Sequence, residues 1–471
     1  MDQLTFALHP AQWDVYTDQL LNVESPHYNI GGYIKLKGPL EKEKFREAVN
    51  TAPRIFDVFR MRFDSNISES PCYYDEGYQT CEMPELDFSQ RQNPEEEAMA
   101  FMQSRFNTPF VIHKDTVLFE HFLIKISPDE CWAFGRYHHL IIDGNGFIAW
   151  AQYVSEKYKS LVAKTDDKFD YPSYREESAR AVDYYKSEDY QSHASYWNEK
   201  IAQKPAKFLQ KKNLFQHPSG KKSSTYTLQF SEDERKHLEQ IQVTTKAGLQ
   251  QLTIAALLIY FGKTSEQSEF IIGTPVHKRI SRQLRKTIGM FAGILPYKGT
   301  FERDVPLCDF IRDIVQTQKR DYRHQHYLIG DLSRQLKLHS SEGYLFEIMV
   351  NYELLNFNIH FGENIQATVC RLLNEFEVEP LQISWQDYGS NQPLQLQVHF
   401  RYDYFTRKEV ELLVERILFI LQQFAGSLER KIGSIGVLPP LEHRLLQSFN
   451  DTAVTYLQNK TIVDLFEEQA T

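Results

Sequence analysis

The stretch Cys131–Leu161 constrains the fold more than any other part of the chain. In it an apolar run, CWAFGRY, leads straight into HHLIIDGNGF, after which Phe147, Trp150, Val154, Tyr158 and Leu161 recur at intervals of three and four residues. The first run is the pattern of a buried strand, and the second is one apolar face of an amphipathic helix. Gly144 and Gly146 stand at the junction, where the missing Cβ permits a tight turn and close approach by another group. A strand that turns directly into a helix commits the chain to a mixed α/β fold and puts two histidines and an aspartate at the turn.

The same two periods recur elsewhere. YIKLK alternates as a strand does, and LEKEKFREAVNTA follows with Leu40, Phe45, Ala48 and Val49 at helical spacing; VFRMRF is strand-like again. Later in the chain STYTLQF and LQLQVHFRYD alternate, FIIGTPV and LFEIMVNYELL read as buried strands, DERKHLEQI and RKEVELLVERILFILQQFA as amphipathic helices, and Thr253–Phe261 as a buried helix. Between these two sets KPAKFLQKKNLFQHPSGKKSS is rich in Lys, Gln and Ser and carries Pro205, Pro218 and Gly220, the composition of a crossing between two halves. At 471 residues the chain is too long for one simple core. From Pro439 onward PPLEHRLLQSFNDTAV reads as a linker leaving the folded body, and the chain stops within an amphipathic segment, as an excised piece of a longer polypeptide would.

Composition excludes several classes of function. A net charge of −10 with no long Lys/Arg block argues against nucleic-acid binding, because counterion release needs clustered cations. Cys72, Cys81, Cys131, Cys308 and Cys370 are odd in number and widely spread with no CxxC pair, which favours reduced thiols in the cytoplasm over disulfides or a zinc knuckle. MDQLTFALHP lacks the basic and apolar regions of a signal peptide. The longest apolar stretch, LTIAALLIYFG, is about half of the ~20 residues needed to cross a bilayer. A soluble, cytoplasmic protein without membrane insertion is expected.

The histidine turn admits three chemistries. As metal ligands, His138 and His139 would project to opposite faces of a strand end, and no further cluster of His, Cys or carboxylate completes a set, so no metal is expected. As structural residues, they would simply satisfy their hydrogen bonds in a turn. As a catalytic site, His139 would project into the space the glycines leave open and, neutral near pH 7, take a proton from an attacking amine or alcohol or hydrogen-bond to a tetrahedral intermediate. Asp143 would then hold the turn, and a buried carboxylate needs a cation or several donors.

HHLIIDG conforms to HHxxxDG and resembles the signature of the condensation domains of nonribosomal peptide synthetases, within the wider chloramphenicol-acetyltransferase-like superfamily. HPAQWDVY, VFRMRF, IGMFAGILPY, HQHYLIGDL and LFEIMVNYE resemble further segments of that family in order and spacing, and FNDTAVTY with TIVDLFEEQA resembles its linker into an adenylation domain. The resemblance implies an α/β (α+β sandwich) fold of two acetyltransferase-like lobes in a V-shaped pseudodimer around a central tunnel. It places one lobe at 1–180, the second at 181–438 and the linker at 439–471. It makes His139 the catalytic histidine with His138 supporting and Asp143 structural. The cationic partner of Asp143 becomes Arg279 in GTPVHKR, a residue that could otherwise be one more exposed cation of HKRISRQLRK. Gly144 would offer its backbone near the reacting carbonyl, and Asn351 in VNYE would line the tunnel.

The chain departs from the family pattern at Asp14, where Arg is frequent, at Phe56-Asp57 for His-Glu, at Ala292-Gly293 for Val-Asn, and at His326 for Asp. With its first family segment beginning near His9, the chain resembles a starter condensation domain, which joins an acyl group, fatty acyl-coenzyme A in the lipoinitiating version, to an aminoacyl group on the phosphopantetheine arm of a downstream peptidyl carrier protein. The implied partners are that carrier, an adenylation domain of the same synthetase and the acyl-coenzyme A; no cofactor is held by the domain, which as an excised piece would be a monomer. The alternatives are a condensation domain drawing its donor from a carrier in trans, a stand-alone acyltransferase acting on alcohols or amines, and a non-catalytic recruitment domain of the same fold. Of these, the plant type of stand-alone enzyme should carry a DFGWG segment late in the chain, which is absent.

Overall fold

In a computed structural model the chain is described at all residues except 1–4, 64–71, 79–81, 166–167, 204–205, 213–221, 339–344, 356, 358, 390–391, 454–459 and 471. Most of the Pro- and Gly-bearing crossing segment, and Cys81, lie outside the described residues.

The strands are β1 (Thr5–Ala7), β2 (Asn29–Lys37), β3 (Met61–Phe63), β4 (Cys72–Asp75), β5 (Glu85–Asp87), β6 (Phe119–Lys125), β7 (Glu130–His138), β8 (Ser223–Gln229), β9 (Glu269–Val276), β10 (Gly293–Thr300), β11 (Ile348–Leu354), β12 (Gln366–Arg371), β13 (Leu381–Asp387) and β14 (Gln395–Arg401). They form a sheet ordered β12-β2-β7-β6-β5, a larger one ordered β10-β9-β11-β13-β14-β8, and a small one ordered β1-β4-β3. Both large sheets are mixed: β5 runs parallel to β6, and β11 runs parallel to β9 and β13, among otherwise antiparallel neighbours.

Each large sheet builds its own core. The first packs Ile34, Leu36, Ala133 and Tyr137 against Trp150, Val154 and Tyr158 of the Gly144–Ala163 helix. The second packs Ile272, Val350, Ile383, Trp385 and Val398 against two helices, Leu249–Thr264 and Arg407–Gln423. The first of these is apolar nearly all round and accordingly buried on most faces; the second starts from a Thr406 capping box with Glu409, so that its first free amides are satisfied locally.

Chain order does not partition the two cores cleanly. Strand β12 pairs antiparallel with β2 from Gln366 opposite Lys37 to Arg371 opposite Gly32, and Ile288, Phe291, Leu355, Phe357 and Phe361 bury in the first core. The stretch 181–438 therefore contributes an edge strand and core residues to the sheet built mainly from residues before 180.

VFRMRF is a strand only at its end. Residues Asp57–Arg60 form a 3-10 turn and Met61–Phe63 the strand. The turn is held because Asp57 accepts hydrogen bonds from Ser173 Oγ at 2.6 Å, Tyr174 N at 3.2 Å and Arg175 N at 3.0 Å, capping the Tyr174–Asp183 helix across the fold.

Candidate active site

Strand β7 ends at His138 and the helix begins at Gly144 with Asp143 as its N-cap, so the histidine turn lies between a central strand of the first sheet and the helix packed on it. Asp143 Oδ1 accepts from Gly146 N at 2.8 Å, the ordinary capping bond. Its other oxygen accepts from Arg279 Nη1 at 2.6 Å, Phe291 N at 3.0 Å and Ala292 N at 3.1 Å. Burial alone would raise the Asp143 carboxyl, but the Arg279 charge and the hydrogen bonds from Arg279, Gly146 and Phe291 outweigh it and hold the group below the usual carboxylate range. Arg279 spends its other arm on the Gly289 carbonyl at 3.1 Å, and its guanidinium lies 4.7 Å from the Phe291 ring centroid. The segment that brings the Phe291 and Ala292 amides here passes Gly289, where the Tyr174 ring comes within 2.0 Å of the place a Cβ would occupy.

The two histidines divide as strand geometry requires. His138 is completely buried; its Nδ1 accepts from Leu140 N at 3.1 Å, which leaves Nε2 to donate to Gln19 Oε1 at 3.0 Å. Burial first, then repulsion from His139 and His27, keeps this ring neutral. His139 is part-exposed, its amide donates to the Tyr28 carbonyl at 2.9 Å, and the Ile142 backbone faces its ring. Burial lowers its pKa below the ordinary histidine value; Asp143 and the Ile142 backbone oppose the shift, and Arg371 and His27 add to it. The imidazole at the mouth of the turn is thus held neutral at pH 7, with lone-pair capacity to accept a proton or a hydrogen bond. At Gly144 no atom lies within 4 Å of a would-be Cβ, so a substrate could approach the start of the helix, whose first amides have no intrahelical partner.

His138, His139, Asp143, Gly144 and Arg279 therefore meet in one place. Asn351 sits apart on β11, where its Nδ2 donates to Glu353 Oε1 at 2.9 Å. Glu353 in turn binds Arg371, whose charge acts on His139. Residue-type reasoning missed Gln19, Arg371 and the paired amides of Phe291 and Ala292. No motif marks the first two, and the amides belong to the backbone. Among the described residues no group of three or more His, Cys, Asp or Glu could hold a metal ion, and no helix is long and apolar enough to cross a membrane.

A family model described as "Condensation domain" matches residues 2–447. The chain belongs to that family. Among curated proteins, this condensation domain is 24% identical over 99% of its length to a dimodular nonribosomal peptide synthase and 22% identical over 100% of its length to surfactin synthase subunit 1, both of Bacillus subtilis (strain 168). It spans 19% of the first of these and 13% of the second. Among solved structures, a variant of the starter condensation domain of rhizomide synthetase RzmA in complex with C8-CoA and Leu-SNAC superposes with a TM-score of 0.79 at 25% identity, covering 92% of this chain and 98% of that one. The first condensation domain of the calcium-dependent antibiotic synthetase, with a bound substrate analogue, shares the fold at a TM-score of 0.78 and 18% identity over 92% of this chain and 99% of the other.

Proposed function

We propose that this condensation domain is of the starter type and forms an amide between an acyl group, delivered as acyl-coenzyme A, and the amino group of an aminoacyl thioester on the phosphopantetheine arm of a downstream peptidyl carrier protein. The observation that carries the reading is the neutral, part-exposed His139 imidazole standing at a turn locked by Asp143 and Arg279. The likeness to a starter domain bound to C8-CoA and Leu-SNAC supports the choice of donor.

In this reading the acceptor amine attacks the thioester carbonyl, a C–N bond forms, and the C–S bond breaks to release coenzyme A. The amine loses one proton and the leaving thiolate gains one. His139 takes the amine proton or hydrogen-bonds to the tetrahedral intermediate. Holding both thioesters in register contributes the larger part of the acceleration, since the step becomes effectively unimolecular. Gly144 would present its backbone near the reacting carbonyl, His138 would orient its neighbour, and the two lobes, 1–180 and 181–438, would form a passage between donor and acceptor with Asn351 on its wall. Residues 439–471 would lead to an adenylation domain of the same synthetase.

The test is incubation of the purified chain with octanoyl-coenzyme A and an aminoacyl carrier protein, read by mass spectrometry of the carrier, for the wild type and His139→Ala. The expected result is an N-octanoyl aminoacyl carrier with the wild type and a rate lower by about 10²-fold or more with the variant. Product only when the acyl group comes on a second carrier protein would replace the starter reading by the trans-donor one. Acylation of added alcohols without amide would point to a stand-alone acyltransferase.

A further inference from the structure

The Pro10–Leu21 helix opens with a capping box in which one member does more than cap. His9 Nδ1 accepts from Ala11 N at 3.1 Å, and Gln12 Oε1 accepts from His9 N at 2.9 Å. Other helices start from the same return bond, and the residue that makes it changes with its surroundings. Glu234 and Glu409, which accept from Ser231 N at 2.8 Å and from Thr406 N at 2.9 Å, lie toward solvent. Gln251, which accepts from Gly248 N at 2.8 Å, also donates to Gln318 Oε1 at 2.8 Å. Glutamate and glutamine serve the cap equally, and the helix dipole favours the carboxylate. A glutamine at this position is therefore explained where its amide has an acceptor to reach.

Gln12 has such an acceptor in the histidine turn. Its Nε2 donates to the Leu140 carbonyl at 2.6 Å and reaches Met61 Sδ at 3.9 Å. Gln12 and Leu140 are both 0% exposed, so water cannot take over a bond lost here. Within the turn, Leu140 N donates to His138 Nδ1 at 3.1 Å and Ile141 N to the His138 carbonyl at 3.1 Å. Those internal bonds keep the shape of the turn without fixing where it points. Residues 139 and 140 are tied to the rest of the fold by the His139 amide, which donates to the Tyr28 carbonyl at 2.9 Å, and by the bond from Gln12 to Leu140. Seven residues after Gln12, two turns along the same helix face, Gln19 holds His138. The helix thus grips the turn on both sides of His139.

We propose that Gln12 is a positioning residue for the amide-forming step, its carboxamide fixing the Leu140 carbonyl and with it the direction in which the His139 imidazole leaves the backbone. This rests on the reading of His139 given above. With no exposed surface, Gln12 meets no substrate and acts only through the backbone it holds. Its two duties can be separated. Glutamate at position 12 would keep the acceptor for His9 N but set a carboxylate oxygen against the Leu140 carbonyl oxygen, two acceptors with no proton between them. The helix cap would survive and the grip on the turn would not.

The experiment is a cycle of rates with octanoyl-coenzyme A and an aminoacyl carrier protein, comparing the parent, Gln12→Glu, His139→Ala and the double variant, with folding checked by circular dichroism. Gln12→Glu should lower kcat about tenfold or more while KM for each substrate stays within about twofold. In the His139→Ala background the same change should alter the rate by less than about twofold, because a residue that acts through the imidazole then has nothing to act on. Gln12→Met, of equal length and without the donor, should give the same pattern and replaces Gln12→Glu if that variant does not fold. Full kcat in a folded variant, or losses that multiply in the double variant, overturns the proposal and leaves the amide-forming reading standing. Loss of folding in both variants also overturns it, by assigning Gln12 to the fold alone. A parent chain that forms no amide, whether the acyl group comes on coenzyme A or on a carrier, overturns both.

Discussion

Arg279 Nη1 stands 2.6 Å from Oδ2 of Asp143, with each side chain no more than 2% exposed. The pair joins the N-cap of the helix that follows the histidine turn to the segment running past Gly289 into β10. A buried pair of this kind adds little beyond a well-packed apolar substitute, but losing one member leaves a buried charge uncompensated. Arg279→Ala should lower the free energy of unfolding by about 3–5 kcal/mol, measured by urea denaturation. Arg279→Met/Asp143→Leu removes both charges but also strands the amides of Gly146, Phe291 and Ala292, so it should not recover the parent's stability. An Arg279→Ala variant as stable as the parent would remove the pair from any account of the turn.

The pH dependence of turnover should report His139. Its folded pKa lies below the ordinary value because burial disfavours the imidazolium, with Arg371 and His27 adding repulsion. The neutral form is therefore present above an acid limb whose midpoint falls below ~6.5, and activity is lost as pH drops through it. Arg371→Gln removes one of the repulsions, so the limb should move toward higher pH. A limb unchanged in that variant would mean that Arg371 does not act on the ring; a limb above ~6.5 in the parent would mean that burial does not depress the imidazole.

How far the site could be read from the residues follows from what kind of group each part uses. The strand, turn and helix around His138 and Asp143 are written in side-chain periodicity, and the family resemblance extends to Arg279, which the structure places against Asp143. The amides of Phe291 and Ala292 leave no trace in residue type, because any non-proline residue could supply them. Gln19 is one of several polar residues on its helix, and only the third dimension brings it 3.0 Å from His138. The fold was similarly legible in its elements and less so in their assembly. QATVCR lies late in the chain, yet as β12 it becomes the edge strand beside β2, a pairing 329 residues apart at Gln366 and Lys37. VFRMRF has strand-like composition, but hydrogen bonds to Asp57 from residues 173–175 make its first part a turn.

His121 gives a stability signature separable from activity. It is 4% exposed, its Nε2 meets the Tyr137 hydroxyl at 2.7 Å, and its ring stacks on Trp150. Burial lowers its pKa to about 3. A histidine depressed in the folded state contributes stability in full above its unfolded pKa of ~6.5 and loses it as pH falls toward the folded value. His121→Phe removes this term, so between pH 6.5 and 5 the variant should gain about 1.5 kcal/mol relative to the parent, by parallel urea titrations. A difference that stays flat with pH would show that His121 is protonated as readily in the folded chain as in the unfolded one.

Gln19 offers a test of whether His138 orients its neighbour. The Gln19 side chain accepts from His138 Nε2 and donates to the carbonyls of Asn22 at 2.9 Å and Ser25 at 3.2 Å, so it ties the histidine turn to the end of the Pro10–Leu21 helix. Gln19→Leu keeps the bulk and strands the buried Nε2–H, which should cost about 1–3 kcal/mol of stability. If that bond also sets the turn, kcat for amide formation should fall while KM for the donor stays within about twofold, because the substrates are bound elsewhere and only the alignment of His139 is disturbed. Gln19→Glu retains an acceptor for Nε2–H and should recover most of the lost kcat. Equal kcat in Gln19→Leu and the parent, with the stability loss present, would reduce His138 to a packing residue.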